Sequence, residues 1–162
     1  MLIRPAETGD CGPIAAIWAP VVRDTLVTFN PVAKSAEDIE AMMTASRASD
    51  HGFLVAEQAG EVAGFVRYAQ FRGGQGYART MEHTIMLCAE ARGRGLGRML
   101  MEAAEDHARV RGVHSMMAGV SGANPAGLRF HAALGYSQVA RLPEVGFKNG
   151  RYLDLILMQR ML

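Results

Sequence analysis

The sharpest chemical signal in the chain is a short arginine- and glycine-rich stretch, Arg92-Gly93-Arg94-Gly95-Leu96-Gly97, followed at once by Arg98. Glycine lacks a Cβ, so a ligand can approach the main chain closely there. Where such a turn opens a helix, the first N–H groups have no partner inside the helix, and the helix dipole adds a positive end. That arrangement binds anions, phosphates in particular. Three phosphate loops compete for the stretch. A P-loop ends in Gly-Lys-Ser/Thr, and neither Lys34 nor Lys148 follows a glycine. A dinucleotide fingerprint needs a third glycine where Arg98 or Leu100 stands. The pattern Arg/Gln-x-x-Gly-x-Gly/Ala is met by Arg92, Gly95 and Gly97. A plain strand-to-helix turn would explain the same glycines without a ligand.

Other chemical signals are weak. Gly119-Val120-Ser121-Gly122-Ala123 lacks the second glycine of a nucleophile elbow. No two of His51, His83, His107, His114 and His131 have the i, i+4 spacing of a helical zinc site, so no metal is expected. Cys11 and Cys88 do not make a disulfide framework, and both are expected to be reduced.

The elements that must position the glycine turn follow from periodicity. Met1 to Ala6 reads as a strand, and Thr8 to Ala19 as a helix that Pro20 ends or kinks. Ser35 with Asp38 resembles a capping box opening a second helix through Ile39, Met42 and Met43. Phe53 to Glu57 and Val62 to Phe71 read as strands joined at Ala59-Gly60. Arg72 to Ala78, with three glycines, is a loop, and Arg79 to Cys88 alternates as another strand. The glycine turn then opens a strong helix from Leu96 to Ala108, capped near Gly112. Val113 to Val120 is a strand. Asn124-Pro125 starts a helix that ends at Gly135, and Tyr136 to Phe147 and Arg151 to Met161 close the chain as strands. The order β-α-α-β-β-β-α-β-α-β-β is a mixed α/β sheet with helices on its faces.

The chain has 162 residues, enough for one domain over residues 1–162 with a sizeable core. A net charge of +1 argues against a general nucleic-acid binder. No apolar run is long enough to span a bilayer. Met1 to Asp10 carries charges where a signal peptide has its apolar stretch, so a cytosolic location is expected.

The Arg92 to Gly97 loop resembles the acyl-CoA pyrophosphate loop of the GNAT superfamily of N-acetyltransferases, and the strand order fits that fold. A closer resemblance covers nearly the whole chain: the bacterial phosphinothricin and methionine sulfoximine N-acetyltransferases. It is carried by Phe71-Arg72, Thr80-Met81-Glu82-His83-Thr84, Asn124, Leu134-Gly135-Tyr136, and Pro143 to Lys148. The tail Gly150 to Leu155, with Met158-Gln159, is especially particular to that group. The resemblance departs at Gly73 and Gly74, where bulky residues are usual, at Ala78, where arginine is common, and at Pro125.

What the resemblance implies is specific. The fold would be a mostly antiparallel mixed sheet with helices on both faces. Acetyl-CoA would lie along Ile85, Met86 and Leu87 like an added strand. Its pyrophosphate would sit on Arg92, Gly93, Arg94, Gly95, Leu96, Gly97 and Arg98, with Asn124 touching the cofactor further along. Glu82 would be the general base and orient the ammonium. Arg72 would hold the substrate carboxylate, with Gly73, Gly74, His83 and Thr84 also at the substrate. His131 would stand where many GNAT enzymes place a tyrosine that protonates the leaving thiolate. Plainer readings stand beside these: a surface glutamate, a solvated arginine, packing histidines, and an Asn124 that only caps a helix. Alternation along a strand puts His83 on the opposite face from Glu82.

The expected function is transfer of an acetyl group from acetyl-CoA to the α-amine of a small amino acid analogue, by direct attack. A protein N-terminus or polyamine acceptor, or a silent acyl-CoA-binding sensor, are the alternatives. Homodimerisation is implied by the resemblance alone.

Overall fold

The expected elements form in the expected order, and local chemistry explains most of their ends. The computed structural model describes residues 1–162. Strand β1 (Leu2–Pro5) leads into helix α1 (Cys11–Asp24), and helix α2 (Ala36–Ala48) follows. Ser35 and Asp38 exchange side-chain-to-backbone hydrogen bonds of 3.2 and 2.8 Å, so the capping box is real. Pro20 does not end α1. The helix runs one further turn because Val21 and Val22 are buried, and their packing outweighs the bond that proline cannot donate.

Strands β2 (Phe53–Gln58) and β3 (Glu61–Gln70) form a hairpin whose turn residues, Ala59 and Gly60, both have positive φ. Strand β4 (Thr80–Leu87), helix α3 (Leu96–Val110), strand β5 (Ser115–Ser121) and helix α4 (Pro125–Ala133) come next. Strands β6 (Ser137–Lys148) and β7 (Arg151–Met161) complete the chain. The sheet order is β1-β2-β3-β4-β5-β7-β6. Every pairing is antiparallel except β4 with β5.

The core lies on both faces of the sheet. Leu100 and Met101 of α3 pack on Val66, Tyr68 and Met116 on one side. Ile14 and Trp18 of α1 and Ile39 and Met43 of α2 pack on Phe53 and Phe65 on the other. Buried charges in this frame are answered. Glu105 accepts from Tyr136 Oη at 2.9 Å and from Arg160 at 2.7 Å, and Arg4 donates to Asp10 at 2.7 Å. Tyr136 is therefore a core residue. No helix is long and apolar enough to cross a membrane.

Candidate active site

The site begins where two strands part. The parallel ladder between β4 and β5 covers only Thr80–Glu82 against Ser115–Met117. Beyond it, β4 pairs with β3 alone and β5 with β7 alone. Two bonds set the parity of β4: Phe71 donates to Thr80 and Cys88 donates to Ala63, both at 2.9 Å. In an antiparallel pair the bonded positions alternate. Thr84 and Met86 therefore bond β3, and Ile85 and Leu87 turn their main-chain groups toward the gap. The Leu87 carbonyl accepts a 3.3 Å bond from Arg92; nothing in the sheet answers Ile85. A cavity of about 990 Å³ fills the gap.

The glycine turn closes one end of it. Gly93 and Gly95 have φ of +73° and +82°, and a Cβ on either would meet nothing within 4 Å. Their main chain is therefore open as well as left-handed, a conformation that suits glycine. Gly97 serves packing instead: a Cβ there would lie 3.1 Å from the Phe130 ring. Arg92, Gly93, Gly95, Gly97 and Arg98 line the cavity; Arg94 is exposed away from it, and Leu96 is in the core. Asn124 lines it too while capping α4, accepting from Gly127 N at 2.9 Å.

Glu82 stands at the fork. It is half-buried on the α1 face of β4, and burial pushes its carboxyl above the ordinary glutamate range, with Arg67 pulling the other way. Gly119 on β5 leaves room for it: a Cβ on Gly119 would sit 2.6 Å from Glu82 Oε1.

His83 turns to the other face and meets His131 across the cavity wall, Nε2 to Nε2 at 2.9 Å. His131 Nδ1 lies 2.7 Å from the Gly127 carbonyl, which can only accept, so Nδ1 carries the proton. In the neutral ring Nε2 is then an acceptor, and His83 Nε2–H donates to it. Burial lowers the pKa of both rings, that of His83 to about 3, and the neighbouring His131 adds to the depression. His131 is thus neutral and doubly bonded, with no free N–H.

This pair sets an acid limit on stability. The folded pKa of His83 lies below the unfolded value near 6.5, so protons favour the unfolded chain. Stability present above about pH 6.5 is lost as pH falls from there toward about 3. At pH 5 the loss from His83 is about 2 kcal/mol, at about 1.4 kcal/mol per pH unit. His83→Gln keeps an N–H for His131 and is expected to cut the fall in Tm between pH 7.5 and 5 by about 4–8 °C. Equal falls in both proteins would show that the pair does not titrate this way.

Residues 19–136 match the model of the acetyltransferase (GNAT) family. The chain belongs to the GNAT family. It is an acetyl-CoA-dependent N-acetyltransferase. Over all of its length, and 95% of the relative's, it is 35% identical to the L-methionine sulfoximine/L-methionine sulfone acetyltransferase of Salmonella typhimurium. The structure of a phosphinothricin acetyltransferase from Sinorhizobium meliloti in complex with acetyl-CoA superposes with a TM-score of 0.94 at 29% identity, covering 99% of this chain and 88% of that one. A ribosomal-protein-alanine N-acetyltransferase from Brucella melitensis superposes with a TM-score of 0.96 at 33% identity, each chain fully covered.

In this GNAT chain the fold gathers Glu82, His83, Thr84, Ile85, Met86, Leu87, Asn124 and His131 at one cavity with the glycine turn. It does not bring Arg72, Gly73 and Gly74 there. These lie in the loop after β3, where the Arg72 guanidinium carbon is 5.9 Å from the Phe71 ring and the Arg72 and Gly74 carbonyls accept from Gln70. Sequence reasoning missed two contributors. One is Arg67, a charge in the middle of the apolar run Ala63–Ala69, and that interruption was the available signal. The other is the segment from Thr25 to Lys34, which lines the α1 side. Lys148 of β6, buried, holds it down by donating to the carbonyls of Thr25 and Thr28 at 2.8 and 3.0 Å. No sequence signal links positions so far apart.

Proposed function

We propose that the protein acetylates the α-amine of a small amino acid analogue of the methionine sulfoximine, methionine sulfone and phosphinothricin class, by direct attack with Glu82 as base. The observation that carries this reading is one raised carboxyl, Glu82, in the same cavity as an unpaired strand edge and an open anion-binding turn. The residues fit acetyl-CoA. Ile85 offers both main-chain groups to a pantetheine chain as a further strand would. The first turn of α3, with Arg92 and Arg98, supplies donors for a pyrophosphate. Bound there, the co-substrate supplies an acetyl thioester. Glu82 orients the acceptor's ammonium and takes its proton, which leaves the nitrogen lone pair free to attack. Holding both partners in one cavity supplies much of the rate. His131 has no free N–H for a leaving thiolate, so the donor role implied by the resemblance requires its bond to His83 to open.

The names of the Salmonella and Sinorhizobium relatives support the acceptor class. The Brucella neighbour favours a second reading, a protein N-terminus that begins with alanine. The protein works as a homodimer in this reading, supported by the exposed Val145, Phe147 and Tyr152 of the last hairpin. Its two free cysteines support a reducing, cytosolic setting.

Thiol release from acetyl-CoA with a panel of amines tests the proposal. The panel holds methionine sulfoximine, methionine sulfone, phosphinothricin, common amino acids, spermidine and an alanine-first peptide. Turnover confined to the analogues is expected. Turnover on the peptide alone would move the acceptor to a protein. Silence throughout, with acetyl-CoA still raising the Tm, would make the protein a sensor. Arg72→Ala in the same panel measures the carboxylate role that the resemblance implies for that residue.

A further inference from the structure

Three buried charged groups in this protein have hydrogen-bonded partners within the fold. Glu105 has Tyr136 and Arg160, Lys148 has two carbonyls, and Asp10 has Arg4. Arg67 is different. It sits between buried Val66 and Tyr68 on β3, opposite Phe53 on β2 and Thr84 on β4. It lines the cavity, and its Nε is buried with no hydrogen-bond partner. The residue as a whole is half-buried, and Glu82 acts on its charge through space, with no hydrogen bond to Nε. Partly removing a guanidinium from water without a hydrogen-bonded anion is costly. A fold that meets this cost at a cavity wall has a place for an anionic ligand.

The register defines what that ligand must look like. Arg67 pairs with Thr84 and Ala69 with Glu82, so Arg67 and Glu82 are diagonal neighbours on the same face of adjacent strands. Such positions lie about 7–8 Å apart. In an α-amino acid the ammonium and the carboxylate are held on one carbon. With the amine at Glu82, the carboxylate is directed toward the neighbouring strand position, where the guanidinium can take both oxygens through parallel N–H bonds. An acceptor without the carboxylate would leave the half-buried guanidinium with no hydrogen-bonded anion.

We infer that Arg67 is the group that binds the α-carboxylate of the acceptor, and so selects free amino acids over amines and amides. This rests on the acceptor class proposed above. It assigns the carboxylate to a residue inside the cavity, whereas the resemblance points to Arg72 on the loop outside it.

The test compares kcat and KM for L-methionine sulfone and its carboxamide in the wild type, Arg67→Gln and Arg67→Lys. Acetyl-CoA affinity and the melting curve serve as folding controls. In Arg67→Gln, kcat/KM for the acid is expected to fall about 10–100-fold, mostly through KM, and that for the carboxamide less than about 3-fold. Arg67→Lys should restore part of the preference as a point charge. A role confined to tuning Glu82 would instead lower both acceptors alike and move the acid limb of kcat. That result overturns the inference, as does an unchanged preference, or a preference lost in Arg72→Gln but kept in Arg67→Gln. If the wild type turns over neither acceptor, the proposed acceptor class fails by itself. Calorimetric titration of methionine sulfone into wild type and Arg67→Gln, each saturated with coenzyme A, then decides: binding weakened by the substitution upholds the site, and equal or absent binding overturns it.

Discussion

Glu82→Gln lowers kcat by about 10²–10⁴-fold and leaves the affinity for acetyl-CoA within about twofold. The range is the usual worth of a positioned general base. Glutamine keeps the size and the hydrogen-bonding reach of the side chain but cannot accept a proton. The open strand edge at Ile85 and the glycine turn, where the cofactor is proposed to bind, are untouched by the change, so its affinity should persist. The pH dependence provides a second readout. Burial raises the Glu82 carboxyl above the ordinary range and Arg67 limits the rise. Activity in the wild type should therefore fall as pH drops through a value above about 4.3, the ordinary glutamate figure. In the glutamine variant that limb should vanish, because the group that titrates is gone. Steady-state rates from pH 5 to 9 and an equilibrium titration with acetyl-CoA measure both. Turnover close to wild type across that range would remove Glu82 from the chemistry.

Gly119→Ala should cost about 10²-fold in kcat while shifting the Tm by less than about 2 °C. The φ of Gly119 is outside the left-handed region, so alanine suits its backbone. The added methyl has ordinary contact with Leu155 at 3.5 Å but would press on Glu82 Oε1 at 2.6 Å. A carboxylate at the end of a flexible chain yields before a strand does. The stability cost is therefore small, and the displacement falls on the reacting group. A misplacement of about 1 Å can cost that much in rate. The double variant with Glu82→Gln should lose little beyond Glu82→Gln alone, since the methyl then displaces a side chain that no longer accepts the proton. Multiplicative losses, or a large fall in Tm, would mean that Gly119 acts through the fold.

Local elements were legible because their causes are local. Ser35 and Asp38 announce a helix start, Ala59-Gly60 announces a hairpin, and Asn124-Pro125 announces α4. Each signal acts within a few residues, through a cap or a turn dihedral. Pro20 shows the limit of such reasoning. Its local rule allows an end or a kink at that point, and the helix does not end there, because burial of Val21 and Val22 offsets the bond that proline cannot donate. Glu82, His83 and the Arg92 to Gly97 turn were legible as a motif. Their opposite-face relation followed from strand alternation, which the structure shows through the separate surroundings of Glu82 and His83.

The sequence by itself determined the elements, their order, the glycine turn that opens α3 and the family the chain resembles, because those depend on neighbours along the chain. Only the tertiary structure decided where β4 and β5 part, and hence that Ile85 faces a gap. It alone brought His131 to His83, 48 positions away, and so held both rings neutral. It also tied Lys148 to Thr25 and left Arg67 half-buried beside Glu82, its Nε without a hydrogen-bond partner. Charge state, desolvation and an unanswered donor are properties of what surrounds a group in space, and no spacing along the chain encodes them.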